Sequence, residues 1–189
     1  SSVYCAPYTG DDMRVLKIDA NTDTTSQLSE AYAGGSMWKS CAAVLSNIYC
    51  APHFSNQVLK IDTLADTSSL LDEAYIGNAK YSACESLGTN VYCAPHNNAT
   101  KVLKIDGLND KSSLLQDQTY PGIFKHEACA AAGSSVYCAP YYDNLNVLEI
   151  KGQVPAAAYI TGTKPVFDRK KNAKSKRNKR QGSRPERSM

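Results

Sequence analysis

A four-fold internal repeat, four short apolar segments in each period and the absence of long amphipathic runs predict an all-β fold, an incomplete β-propeller of four-stranded blades. The string VYCAP or IYCAP begins at Val3, Ile48, Val91 and Val136, at steps of 45, 43 and 45 residues. A fixed period of this length is typical of repeat architectures. The sequence therefore indicates a series of blades with a period of about 44 residues.

Each full period contains four candidate strands, which we label A to D from the axis outwards. Strand A is a small-residue segment around Cys41, Cys84 or Cys129, strand B is the VYCAP string, strand C is VLKID, and strand D ends at Tyr32, Tyr75 or Tyr120. In VLKID, Leu and Ile point to one side and Val, Lys and Asp to the other, as in a strand. The second period predicts strands near 36–44, 47–52, 57–62 and 70–76.

The phase of the repeat predicts two complete and two partial blades. The chain begins at strand B and the repeat stops after strand C near Lys151, which gives fourteen strands in residues 1–160. Because unpaired terminal strands expose open edges, we expect part of a larger ring with its N-terminal portion missing. The alternative is that two copies close one ring, and self-association through the open blade edges is expected in either case.

Seven cysteines fall in two columns, one on strand A and one on strand B. Tight turns between strands A and B set three pairs opposite each other: Cys41 with Cys50, Cys84 with Cys93, and Cys129 with Cys138. We favour reduced, buried cysteines acting as small apolar residues near the axis. Cross-strand disulfides are the alternative, and metal or redox chemistry is a remote third because there is no CxxC spacing. Cys5 has no partner in this pattern.

The position three residues after each strand-B cysteine is aromatic or imidazole in every repeat. It holds Tyr8, His53, His96 and Tyr141, which we call the rim residues. Equivalent propeller loops converge on one face, so these side chains are a candidate binding rim, with ordinary surface aromatics as the alternative. Two histidines without a third ligand do not make a metal site, and the sequence predicts neither a metal nor a cofactor.

The sequence contains no motif of catalysis. The aspartates that end strand C, Asp19, Asp62 and Asp106, are expected to fix turns by accepting backbone N–H bonds. There is no GxSxG, HExxH or P-loop. No apolar run reaches the ~20 residues that span a bilayer, and the compartment is left open.

Charge divides the chain unevenly. Residues 164–189 hold 11 Lys or Arg against two acids, whereas residues 1–163 hold 10 against 16. The segment 161–189 is predicted to be a disordered basic tail, because it has too few apolar residues to fold. Nucleic-acid binding or a nuclear address would use its cations, Arg169, Lys170, Lys171, Lys174, Lys176, Arg177, Lys179 and Arg180. The alternative is that unrelated sequence replaces further blades.

The stretch from Ile48 to Ile61, IYCAPHFSNQVLKI, resembles the YVTN-type β-propeller repeat, in which a YVTN-like strand precedes an SNTVSVID-like strand. It is also similar to kelch-like and uncharacterised repeat proteins with an IYCxP and VLxID pattern. The resemblance covers roughly residues 1–151 and implies architecture only, with YCAP standing where the name motif would be. We therefore predict a non-catalytic binding or scaffold module for an unknown protein or small molecule, with a propeller hydrolase or lactonase-like enzyme as the alternative.

Overall fold

The computed structural model describes residues 1–142 and 145–152, and these form an all-β fold. The described residues contain fourteen strands in four antiparallel sheets, which confirms the predicted class. They contain no helix, and therefore none that could cross a membrane. In chain order the strands are β1 (Ser2–Cys5), β2 (Gly10–Asp19), β3 (Thr24–Gly34), β4 (Trp38–Val44), β5 (Asn47–Pro52), β6 (Gln57–Asp62), β7 (Thr67–Ala74), β8 (Tyr81–Leu87), β9 (Asn90–Pro95), β10 (Leu103–Asp106), β11 (Lys111–Leu114), β12 (His126–Ala132), β13 (Ser135–Pro140) and β14 (Leu148–Lys151).

Consecutive strands pair within each sheet, so each sheet is a simple meander. Blade 1 contains β1–β3, blade 2 contains β4–β7, blade 3 contains β8–β11 and blade 4 contains β12–β14. Strands β5 and β6 have the predicted bounds. Strand β4 begins two residues late because Ser36 has a left-handed φ of 53°, and β7 begins early because the turn before it ends at Asp66.

Two-residue turns fix the register between strands A and B. The turns start at Leu45, Gly88 and Gly133, with φ of 56°, 63° and 60°. Glycine adopts this left-handed conformation without a steric cost, whereas Leu45 does not. The resulting register places each strand-A cysteine opposite the strand-B cysteine of its blade.

The core lies between neighbouring blades. One cluster joins Val15 and Leu28 of blade 1 to Trp38, Leu59 and Ile61 of blade 2. Equivalent clusters join blade 2 to blade 3 and blade 3 to blade 4. Each blade therefore has a backward face, towards the preceding blade, and a forward face, towards the next one, and apolar burial at both faces is the main favourable contribution to stability.

Polar clamps reinforce two of these interfaces at the hairpin-turn ends of the sheets. Tyr4 donates its hydroxyl proton to Asp66 Oδ1 (2.5 Å), and Lys17 Nζ lies 2.5 Å from Asp66 Oδ2. At the next interface, Tyr49 donates to Asp110 Oδ1 (2.6 Å), and Lys60 Nζ lies 2.8 Å from Oδ2. Tyrosine on strand B and lysine on strand C of one blade thus hold an aspartate in the C–D turn of the next.

The aspartates that end strand C have the predicted role in turns. The carboxylates of Asp19, Asp62 and Asp106 accept the backbone N–H two residues ahead, at 2.8, 2.9 and 3.0 Å. These bonds satisfy donors that the strand ladder leaves unpaired. The turn-fixing role of this column is confirmed.

Candidate binding surface on the loop face

The rim residues lie where strand B meets the longer B–C loop, on the side of the sheets that we call the loop face. Their backbone groups link successive blades. His53 N donates to Met37 O (2.8 Å), and His53 O accepts from Lys80 N (3.1 Å). His96 repeats this pattern with Lys80 O (2.8 Å) and Lys125 N (3.1 Å). The backbone of the rim therefore forms a zigzag of hydrogen bonds from blade to blade.

The same zigzag includes the two tyrosines. Met37 N donates to Tyr8 O at 3.0 Å, and Tyr141 N donates to Lys125 O at 2.8 Å. The column that the sequence identifies as a rim thus has a structural role in every blade. Its side chains differ in placement, since Tyr8 and Tyr141 are about half exposed while His53 and His96 are buried.

The two histidine rings are held in the same way. His53 Nδ1 lies 3.3 Å from Ser36 O, and His96 Nδ1 lies 3.4 Å from Ala79 O. Carbonyl oxygens only accept, so Nδ1 carries the proton in a neutral ring and Nε2 is the acceptor. Burial lowers the pKa of both imidazoles, which favours this neutral form.

His96 meets an acidic residue from the next blade. Its Nε2 lies 3.1 Å from Glu127 Oε2, and Glu127 Oε1 is paired with the Lys39 ammonium of blade 2. Burial alone raises the pKa of the Glu127 carboxyl, but Lys39 and Ser82 outweigh this and lower it. A neutral imidazole has one N–H and one acceptor nitrogen, so His96 turns a lone pair towards Glu127 only while its proton is on Nδ1, and a ring with its proton on Nε2 donates to the carboxylate. Neither Nε2 nor Oε2 has a hydrogen-bond partner among the described residues.

The sequence pattern of the rim does not include Lys39 and Glu127, which the structure places beside His96. Both stand two residues before a strand-A cysteine, and Ser82 holds the same position between them. The signal was present, because the position two residues before the cysteine is charged in two of the three repeats. Since strand A is the innermost strand, this column brings side chains of three blades together near the axis.

Exposed aromatic rings extend from the histidines. The ring centroids of His53 and His96 are 6.1 Å apart, those of His96 and Phe124 5.4 Å, and those of His96 and Tyr141 6.4 Å. Phe124, Tyr141 and Tyr142 line an open concavity of about 260 Å³. Among the described residues, no ring contact joins Tyr8 to this group. The structure therefore brings together three of the four rim residues and adds Phe124 and Tyr142.

Two lysines beneath the loop face are nearly fully buried. Lys80 Nζ donates to Gly77 O, and Lys125 Nζ donates to Asn97 O (2.8 Å) and Gly122 O (2.5 Å). Burial lowers the pKa of Lys125 and brings that of Lys80 to about 8. Because their ammonium groups are used by loop carbonyls, these lysines support the surface from below.

The opposed cysteines are paired as disulfides: Cys41 with Cys50, Cys84 with Cys93, and Cys129 with Cys138. Here the structure differs from the favoured reduced interpretation. The register places their Cα atoms 3.9 to 4.1 Å apart, which brings the sulfur atoms within bonding distance. Cys5 is free and exposed, and among the described residues no group of three or more side chains could hold a metal ion. The basic tail and the boundary at residue 160 lie outside the described residues.

Comparisons with known proteins extend to the fold alone. No protein-family model matches the chain, and no curated protein matches it. Among solved structures, it is similar to the extracellular domain of a hybrid two-component system from B. thetaiotaomicron (TM-score 0.56, 12% identity, 74% of this chain and 18% of that chain). It is also similar to Kuenenia stuttgartiensis hydrazine synthase (0.52, 14%, 73% and 40%) and to a luciferin-regenerating enzyme (0.50, 13%, 76% and 53%).

These similar structures are β-propeller proteins, and the chain spans from about a fifth to about a half of their length. Some are enzymes and one is an extracellular domain, so they share an architecture and not an activity. The described residues thus form a series of propeller blades. Its YVTN-type or kelch-like character remains a prediction from the residues.

Proposed function

We propose that this chain is a non-catalytic binding module whose ligand lies on the loop face, over His96, Phe124 and Tyr141. The observation that carries the proposal is the concavity lined by Phe124, Tyr141 and Tyr142, which lies beside the pair of His96 Nε2 and Glu127 Oε2, 3.1 Å apart. The Glu127 side chain is 38% exposed and its carboxyl is an acceptor, so a ligand with an N–H donor complements it.

The rings beside these acceptors support the same site. Phe124 and Tyr141 are 38% and 48% exposed, and large apolar groups that form a concave, exposed patch are typical of binding surfaces. Aromatic side chains contribute much contact area while losing little conformational entropy. A ligand with a flat apolar part and a protonated amine matches both features, because the amine complements the charge of Glu127 while the rest covers the rings.

The arrangement favours binding over catalysis. The described part of the loop face brings one carboxylate, Glu127, to the histidines, and Lys39 already neutralises it. Ser82 Oγ donates its proton to the backbone oxygen of His126 (2.8 Å), so this hydroxyl is not directed at a histidine base. A hydrolase of the lactonase kind needs a polarised water or nucleophile at such a mouth, so this alternative rests on the fold alone.

The test is a map of ligand-induced amide shifts. The ¹⁵N-labelled full chain is titrated with small aromatic amines and, as matched controls, with the same compounds lacking the amine. We expect shifts at His96, Phe124 and Glu127 that are lost with the amine-free controls. Shifts confined to the opposite turns, near Leu64 and Leu108, would place any binding elsewhere and contradict the proposal.

We also propose that the basic tail associates with nucleic acid. Its excess of cations, 11 against two acids, contrasts with the acidic repeats. Such a segment binds phosphate backbones without reading bases. It has no aromatic residues beyond Phe167 for base stacking, so little sequence preference is expected.

A further inference from the structure

The backward face of blade 1 carries the apolar residues that are buried at the same positions of the other blades, but here these residues are exposed or only half-buried. Val3 is 54% exposed, whereas Val91 and Val136 in the same column are 0% exposed. Cys5 is exposed, and its counterparts Cys50, Cys93 and Cys138 are fully buried. Leu16 and Ile18 are half-buried, although the equivalent leucines and isoleucines of blades 2 and 3 are fully buried. In each of the other blades, the forward face of the preceding blade covers these positions.

Blade 1 also presents the receiving half of the polar clamp. Asp23 lies in the C–D turn of blade 1, at the position of Asp66 and Asp110. All three aspartates share a left-handed φ, of 52°, 54° and 52°. Asp66 and Asp110 each accept a tyrosine hydroxyl and a lysine ammonium from the preceding blade, and no such pair reaches Asp23 among the described residues.

We propose that the backward face of blade 1, formed by Val3, Cys5, Leu16, Ile18 and Asp23, docks a propeller blade that carries tyrosine on its second strand and lysine on its third. The occupant is identified by continuity with the two clamped interfaces of the same chain. Its apolar forward face covers the valine, leucine and isoleucine, and its tyrosine and lysine hold Asp23. A blade with an acidic residue in place of the lysine binds this face more weakly, because its charge repels Asp23.

The requirement for a tyrosine and a lysine disfavours docking of the forward face of blade 4 on blade 1. Blade 4 keeps the tyrosine, Tyr137, but has Glu149 where blades 1 to 3 have Lys17, Lys60 and Lys104. Glu149 Oε1 instead accepts hydrogen bonds from Ser135 (3.0 Å) and Tyr137 (3.1 Å). If blade 4 of a second copy docked on blade 1, Glu149 would face Asp23. Two like charges at an interface disfavour the pairing, so we expect head-to-tail association of identical copies to be weak, in contrast to the self-association expected from the open edges alone.

A charge-reversal cycle on the full chain tests this requirement. Sedimentation velocity under non-reducing conditions, with Cys5→Ser in every variant to prevent intermolecular disulfides, measures self-association. We expect Glu149→Lys to complete the clamp and Asp23→Lys to pair with the native Glu149, each strengthening association by roughly tenfold. The double reversal, Asp23→Lys with Glu149→Lys, again opposes like charges and returns the protein to weak association.

Matched controls separate attraction from the loss of repulsion. Glu149→Gln removes the like charge without adding a cation, so its association constant should lie between those of the parent and Glu149→Lys. Adding Asp23→Asn to Glu149→Gln should lower that association constant. Asp23 lies in an exposed turn, and although its left-handed φ suits aspartate better than lysine, Asp23→Lys keeps the test valid if Glu149→Lys does not fold. Equal association by the parent and both single reversals, or equal association by the single and double reversals, would overturn the proposal. Tight association of the parent through this face would do the same.

Discussion

Tyr49 and Asp110, 61 residues apart in the chain, meet across the interface of blades 2 and 3, where the tyrosine hydroxyl lies 2.6 Å from Oδ1. Tyr49 is fully buried, and Asp110 is the nearer of its two acceptors, since Gly107 O lies 3.3 Å from the hydroxyl. Burial raises the pKa of Asp110, but the hydrogen bonds from Lys60 and Tyr49 outweigh this and lower it. The carboxylate therefore stays charged and holds two strands of the neighbouring blade.

Removing this carboxylate should destabilise the fold. Asp110→Ala removes the acceptor of the Lys60 ammonium and leaves the Tyr49 hydroxyl with only the longer contact to Gly107 O, and we expect a loss of about 1–3 kcal/mol in the free energy of unfolding. Asp110→Asn keeps an acceptor for the tyrosine and should cost less. Urea denaturation measures both, with the exposed Asp11→Ala as the matched control. Equal stability of the Asp110→Ala and Asp11→Ala proteins would show that the clamp contributes nothing.

Acidification from pH 7.5 to pH 5 should lower stability through the histidines. Burial lowers the pKa of His53, His96 and His126 in the folded chain, while the unfolded chain titrates near 6.5. The unfolded state thus binds more protons in this window, so stability is retained above pH 6.5 and falls as the pH drops below it. The clamp aspartates, Asp66 and Asp110, have lowered pKa values, so their contribution to stability is lost only below about pH 4.

Melting temperatures of the parent and His126→Gln at four pH values between 5 and 7.5 provide the measurement. His126 is fully buried, and its Nδ1 lies 3.2 Å from Pro95 O. The variant should be less stable at pH 7.5 but should lose less on acidification than the parent. A parallel decline in both proteins would assign the pH dependence to other groups.

The disulfide between Cys84 and Cys93 should stabilise its blade. The bond closes a loop with a sequence separation of 9, for which chain entropy predicts about 2–3 kcal/mol. We expect the double variant Cys84→Ala with Cys93→Ala to lose roughly that amount, and Cys5→Ala to change stability by less than about 0.5 kcal/mol. Alkylation before reduction should label Cys5 alone. Labelling of all seven cysteines would show that they are reduced and that the disulfides do not form.

Deleting residues 164–189 should abolish binding to duplex DNA and leave the β-fold unchanged. Because the affinity comes from counterion release, log K for the intact chain should fall with log salt at a slope of about −0.9 per phosphate neutralised. Fluorescence anisotropy with two unrelated duplexes measures slope and sequence preference together. If the truncated chain binds DNA as tightly as the intact chain, the binding site lies in the acidic repeats and not in the tail.

The architecture could be predicted from the sequence because the pattern of each strand occurs several times in the repeats. The columns of Cys50, Leu59 and Ile61 recur in every blade, so burial, strand order and the number of strands followed from alignment alone. Register was also predictable, since the spacing of nine residues between paired cysteines allows only a two-residue turn at full pairing.

The candidate surface was predicted less well. The rim column was visible because it is repeated, but Lys39 and Glu127 were missed because they differ from blade to blade. The repeat pattern also could not show that a neighbouring loop brings Phe124 to His96 or that two lysines are buried beneath it. Cysteine pairing depended on a Cα separation that opposed columns alone do not specify.

The affinity of one aromatic amine for four matched proteins tests the proposed binding site most directly. We expect the parent to bind, Phe124→Ala and Tyr141→Ala to bind at least about tenfold more weakly, and Tyr8→Ala to bind like the parent, because Tyr8 has the same column position but lies outside the ring cluster. Isothermal titration calorimetry measures all four. An equal loss of affinity in Tyr8→Ala, or unchanged affinity in both Phe124→Ala and Tyr141→Ala, would contradict the account.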